Sequence, residues 1–142
     1  MENNLIEKYI ANNHFGKLVG MEFKIISDGN VEYDLVITKN HLATPHSAHG
    51  GVIAALIDAA LGVAGLSKVE KQNKVVSTVE YKTNFMNPAL LNDTLKAVAK
   101  VEQQGKRILI ISCDVFATNR NNLIIAKALG TFNAYDAAKA GY

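Results

Sequence analysis

The chain has 142 residues and a mass of 15.4 kDa, the size of one domain built on one core. Hydrophobic residues make up 49% and charged residues 20%, which excludes the low-hydrophobicity, high-charge composition of a disordered chain. Fifteen Lys and Arg against 13 Asp and Glu leave a net charge of +2 without a dense basic stripe, so no nucleic-acid partner is expected, and the single cysteine, Cys113, excludes an internal disulfide framework or a multi-cysteine metal site.

In chain order, Met1–Lys8 lacks the basic and long apolar stretches of a secretory signal, so no export and a cytoplasmic location are expected. Asn92-Asp93-Thr94 then reads as a plain turn rather than a glycosylation site. Leu5, Ile6, Tyr9 and Ile10 form one apolar stripe, which predicts a short helix ending near Asn12-Asn13. Phe23 and Ile25, then Val31, Tyr33, Leu35 and Ile37, alternate with polar neighbours on either side of Ser27-Asp28-Gly29-Asn30, the pattern of a hairpin. The segment His41 to Ala48 is irregular, with Pro45 inside it, and an apolar helix is predicted over about 51–66. Four strands are predicted after it, over about 75–86, 94–102, 107–117 and 123–134, the last three as a meander. The tail from Asp136 reads as frayed or as a short helical end. The plan is α+β, with one long helix on one antiparallel sheet.

The run from Gly50 to Ser67 carries a single charge, Asp58, and sits at the short edge of a membrane span. A mid-helix Asp costs about 2.5–3.5 kcal/mol on insertion, so a buried helix fits better and no membrane association is expected. That helix is apolar nearly all round, and one sheet covers one side. A second copy of the chain is the simplest cover for the rest, which predicts a homodimer.

The run His49-Gly50-Gly51 at the helix start is the part that can carry chemistry. Glycines allow close approach of a ligand, and the first-turn N–H groups lack intrahelical partners, so they can donate to a carbonyl oxygen becoming an oxyanion. The same glycines would also serve plain helix–sheet packing. Asp58, among Leu56, Ile57, Ala59, Ala60 and Leu61, is a carboxylate on an apolar helix, a placement that favours function over chance. Eight residues along a helix separate Gly50 and Asp58 by about 12 Å and roughly 80°, so within one chain they cannot grip one carbonyl. Antiparallel helices across a dimer could pair the Asp58 of one chain with the Gly50 of the other.

With Asp58 nine positions after His49 of His49-Gly50-Gly51, the chain resembles the hotdog-fold acyl-CoA thioesterases of the phenylacetate-pathway (PaaI-like) type over roughly residues 15–135. Ser77 to Pro88 is similar to the strand after the helix in that family, and Ala126 to Phe132 to the last strand. The resemblance implies a sheet wrapped around the central helix in a dimer or a dimer of dimers. It also implies hydrolysis of an acyl-CoA, with Asp58 activating water or attacking the thioester. The Gly50 N–H of the other subunit would polarise the carbonyl, His49 would orient the loop, and Thr78 would help hold the water. Relatives often carry Asn or Gln where this chain has Ala43, and usually Gly where it has His46. Slower turnover is one expectation from this departure; substitution by His46 or Thr44 is the other.

The acyl group is expected to be aromatic or medium-chain, set by Val52, Ile53, Ala55 and Leu56, with Gly51 and His46 near the substrate. Neither metal nor organic cofactor is expected: His41, His46 and His49 have no acidic fourth ligand, and Cys113 reads as a core residue. Lys74, Lys106, Arg107 and Arg120 read as solvated charges near turns. The alternatives are an acyl-CoA-binding module that has lost its chemistry and, below it, a 3-hydroxyacyl thioester dehydratase.

Overall fold

A computed structural model of the chain describes residues 4–142, so the first three residues of the Met1–Lys8 segment lie outside it. Helix α1 (Leu5–Asn12) is capped by Asn4, whose side chain accepts the Glu7 N–H at 3.1 Å. A second short helix, α2 (His14–Val19), follows at once. Asn13 caps it by accepting the Gly16 N–H at 3.1 Å, and Gly20, at φ +91°, ends it in the left-handed region. Apolar spacing does not announce α2, because its large apolar residues Phe15 and Leu18 are exposed.

Strands β1 (Glu22–Ser27) and β2 (Asn30–Val36) form the expected hairpin. Gly29 turns it at φ +83° and donates its N–H to the Ser67 hydroxyl at 2.8 Å, tying the turn to the central helix. That helix, α3, runs over Gly50–Val69, longer at both ends than its apolar run suggests. Strands β3 (Lys74–Phe85), β4 (Thr94–Gln104), β5 (Ile108–Ala117) and β6 (Leu123–Asp136) complete one antiparallel sheet of order β1-β2-β4-β5-β6-β3. The expected meander is β4-β5-β6, and β3 lies at the sheet edge beside β6. The tail closes in a short 3-10 turn over Ala137–Ala140, with Ala137 buried.

The inward rows alternate strictly: Val31, Tyr33 and Leu35 on β2, Leu95, Ala97 and Ala99 on β4, and Leu109, Ile111, Cys113 and Val115 on β5 are all buried. Small residues in the middle strands let the helix lie close. Extra residues at Ile26, Val79, Glu102 and Ile125 break the register and bend the sheet, so it curls around α3 as a hotdog fold. This curvature corrects the expectation that one sheet covers one side of the helix: α3 touches all six strands, and Ile53, Leu56, Ile57, Ala60, Leu61, Val63 and Ala64 are buried within the chain. The face left open consists of short side chains, Ala54, Ala55, Ala59 and Gly62, together with Asp58. The helix is long and apolar enough to cross a membrane by composition, but 61% of its most apolar window is buried inside the chain.

Candidate active site

Residues 42–48 form a tight loop in which the Ala43 and Thr44 N–H groups both donate to the Ser47 carbonyl. The Thr44 and Ser47 hydroxyls bond each other, so Thr44 is spent within the loop. The loop is pinned from outside: the Leu91 N–H donates to the His46 carbonyl at 2.9 Å, and the Ala48 N–H donates to the Ala89 carbonyl at 2.8 Å. Residues 89–91 are held in turn by Asp93, which is 2% exposed and accepts the Leu90 N–H at 2.7 Å. Arg120 grips both Asp93 oxygens and donates to the Pro88 carbonyl at 2.8 Å, which makes it a structural clamp rather than a solvated charge. Burial works against the Asp93 charge, yet the Arg120, Leu90 and Asn119 donors outweigh it and hold the carboxyl below the usual range.

His41 is buried and structural. Its Nδ1 accepts the Thr38 N–H at 3.0 Å, so Nε2 carries the proton and donates to the Val19 carbonyl at 2.7 Å. Its carbonyl receives the His49 N–H at 2.8 Å. His49 has the extended backbone of an N-cap (φ −62°, ψ 136°), and its Nδ1 accepts the Gly51 N–H at 2.8 Å. The expectation that both glycines offer free donors is therefore corrected: the Gly51 N–H is taken by His49. A Cβ on Gly51 would stand 2.9 Å from that nitrogen, so glycine there makes room for the imidazole cap. The Gly50 N–H finds no acceptor among the described residues, and the nearest neighbour of a Cβ at Gly50 is the Phe85 ring at 3.8 Å. His46 is exposed on the loop and, like Thr44, does not reach the cavity beside Asp58.

Asp58 lies two turns further along α3, on its open face. The Thr78 hydroxyl donates to its Oδ1 at 2.7 Å, while Oδ2 has no hydrogen-bond partner among the described residues. The bulge at Val79 makes this pairing compatible with the rest of β3. Ahead of it, Val76 and Thr78 face the helix; past it, Tyr81 does, donating its hydroxyl to the Ala54 carbonyl at 2.9 Å. A cavity of about 360 Å³ opens beside Asp58 and Thr78, walled by Ala59, Gly62, Val76 and Phe132 and by Tyr9 of α1. Burial pushes the Tyr9 and Tyr81 phenols up, and the Asp58 carboxylate adds to both shifts.

The structure thus brings Asp58 and Thr78 into contact, and His49 and Gly51 into another, at opposite ends of a helix segment about 12 Å long. Of the residues expected to set the acyl group, Ile53 and Leu56 are buried in the core and Val52 and Ala55 are half-buried, while Tyr9, Phe132 and Tyr142 line the cavity beside Asp58. No three His, Cys, Asp or Glu side chains among the described residues converge as metal ligands. Cys113 is buried, and burial pushes its thiol up to about 12.

The thioesterase superfamily model matches residues 46–124, which contain the capped glycine run, Asp58 and Thr78. A Thermoplasma acidophilum protein carrying an esterase name is 27% identical over 130 residues, covering 92% of this chain and 95% of its own. The Escherichia coli acyl-coenzyme A thioesterase PaaI is 26% identical over 104 residues, covering 73% and 71%. The structure of E. coli PaaI superposes with a TM-score of 0.83 at 22% identity, covering 92% of this chain and 90% of that one. A thioesterase from Streptococcus pneumoniae, solved with coenzyme A, superposes with a TM-score of 0.70 at 20% identity, covering 82% and 86%. With the family match spanning more than half of its length and a helix-wrapping sheet of the same architecture, the chain belongs to the thioesterase superfamily, as a hotdog-fold thioester hydrolase of the PaaI-like type.

Proposed function

We propose that the chain hydrolyses acyl-CoA thioesters bearing an aromatic or medium-length acyl group, at sites shared between two copies. Asp58 acts as general base on water or as the nucleophile, Thr78 holds its carboxylate, and the Gly50 N–H of the other subunit polarises the thioester carbonyl. The observation that carries this reading is the Asp58–Thr78 hydrogen bond of 2.7 Å at the mouth of an apolar cavity, with Oδ2 left open. A carboxylate bonded on one oxygen is held in place while its other oxygen is left to face water or the thioester.

The sharing of the site is supported by geometry. The Gly50 N–H and Asp58 Oδ2 both lack partners among the described residues, they stand about 12 Å apart along one helix, and both lie beside the edge strand β3, Gly50 near Phe85 and Asp58 on Thr78. An antiparallel pairing of two α3 helices would bring each donor to the other chain's carboxylate and cover the short side chains between them. The geometry at His49 supports an orienting role, since its ring fixes the first turn that presents the Gly50 N–H.

The test is Asp58→Asn, assayed by thiol release across a panel of acyl-CoAs. Turnover should fall at least about a hundredfold while KM stays near the wild-type value. Near-normal turnover in a folded variant would reject Asp58 as the reacting group. Enoyl absorbance without thiol from 3-hydroxyacyl substrates would point to dehydration.

A further inference from the structure

The cavity beside Asp58 is roofed by both ends of the chain. Leu5 of α1 is buried in a small cluster with Leu66, Val75 and Ala137, and Tyr9 and Tyr142 pack against that cluster. Both tyrosines also line the cavity, whose floor is Gly62 of α3 and Phe132 of β6.

A thioester held with its carbonyl about 3 Å from Asp58 sends two arms in different directions. The pantetheine and nucleotide arm is long, polar and anionic, and it must run out to solvent. The acyl arm is the one an apolar cavity can take, and about 360 Å³ is more than twice the roughly 150 Å³ that houses a benzene ring. We infer that this cavity receives the acyl arm and that Tyr9 and Tyr142, brought in from opposite ends of the chain, are specificity-determining residues that set how long or bulky an acyl group is accepted. The inference rests on the thioesterase reading and adds to it the depth and the walls of the acyl site. Tyr142 belongs to a terminal segment packed on the minor cluster, whereas Tyr9 also packs on the main core beside Phe23, so it is at Tyr142 that the size limit can be altered without rebuilding the core that places Asp58 and Gly50.

The test is a series of straight-chain acyl-CoAs from acetyl to dodecanoyl, with kcat and KM measured separately by thiol release. Tyr142→Ala and Tyr9→Ala should each raise the ratio of long-chain to short-chain kcat/KM at least tenfold, mainly through a lower KM for the long substrates. Gly62→Ala should move the optimum the other way: its added methyl has room, with the Phe132 ring as nearest neighbour at 3.7 Å, and it takes up cavity space. Leu18→Ala, exposed on α2 away from the cavity, should leave the profile unaltered. Should Tyr9→Ala fail to fold, Tyr142→Ala and Gly62→Ala decide the matter. A length profile unmoved within twofold in folded variants, from a wild type that releases thiol, would overturn the acyl assignment and leave the thioesterase reading standing. A wild type that releases thiol from no acyl-CoA would overturn both.

Discussion

Gly50→Pro is the sharpest probe of a shared site, because the structure shows what it removes and what it spares. The Gly50 N–H has no partner among the described residues, so its removal breaks no hydrogen bond among them. Gly50 is the first helical residue, where the fixed φ of proline is pre-organised for a helix. His49 before it already holds ψ at 136°, the extended range that a residue preceding proline requires. Loss of one oxyanion donor costs roughly a hundred- to a thousandfold in kcat, or about 2.7–4 kcal/mol. Both Gly50→Pro and Asp58→Asn should therefore be nearly inactive alone. After subunit exchange of an equimolar mixture, half the dimers are mixed. Each mixed dimer carries one site with an intact Asp58 from one chain and an intact Gly50 from the other. Thiol release should return to about a quarter of wild type, and the same fraction holds for a dimer of dimers. Exchange is verified by native mass spectrometry of differently tagged chains. If both variants fold, exchange is complete and no activity returns, the cross-subunit pairing is wrong.

Arg120→Ala strips the clamp from the buried Asp93; breaking such a pair costs roughly 3–5 kcal/mol, and the partial exposure of Arg120 places the loss near 3. At fixed protomer concentration the thermal midpoint at pH 7 should fall by roughly 6–12 °C. The folded Asp93 carboxyl titrates below its unfolded value of about 3.9, so the clamp's contribution is present above that value and is lost as pH falls through the lower folded one; the gap between wild-type and variant midpoints should narrow on acidification, and a constant gap would contradict the assignment. Gly130→Ala would place a Cβ 2.8 Å from the Tyr81 Cβ and 3.2 Å from the Glu80 carbonyl, atoms fixed by the sheet, at a cost of about 1–3 kcal/mol. An unchanged urea midpoint in that variant would show that β3 can yield there.

Legibility in the sequence followed the physics of each element. Strands and the long helix were readable because their inward rows repeat at periods of two and 3.6 over many residues, and the bulges interrupt each row only once. Helix α2 was not, since a single turn and a half with Phe15 and Leu18 outward has no apolar stripe. Asp58 stood out as a charge in an apolar run, and the glycines as backbone lacking side chains. Thr78 carried no signal of its own: its bond to Asp58 depends on where β3 docks after a 20-residue separation. Tyr9 meets Phe132 and Tyr142 at the cavity from more than 120 residues away, and local pattern does not encode such a convergence. The Arg120–Asp93 clamp was hidden for the same reason, each residue looking like ordinary turn polarity.

The extra residue at Val79 gives β3 two phases, with Val76 and Thr78 facing the helix at even positions and Tyr81 and Phe85 at odd ones. Val79 itself is exposed, so exchanging its side chain alters little that any neighbour reads. The bulge is what matters: three positions apart in a regular ladder, Thr78 and Tyr81 would face opposite sides of the sheet, and only one of them could reach α3. Deleting residue 79 would leave the two residues two positions apart and both on the helix side, at the loss of the bend that the bulge gives β3. Position 79 thus matters through the residue it adds to the strand and little through the side chain it carries.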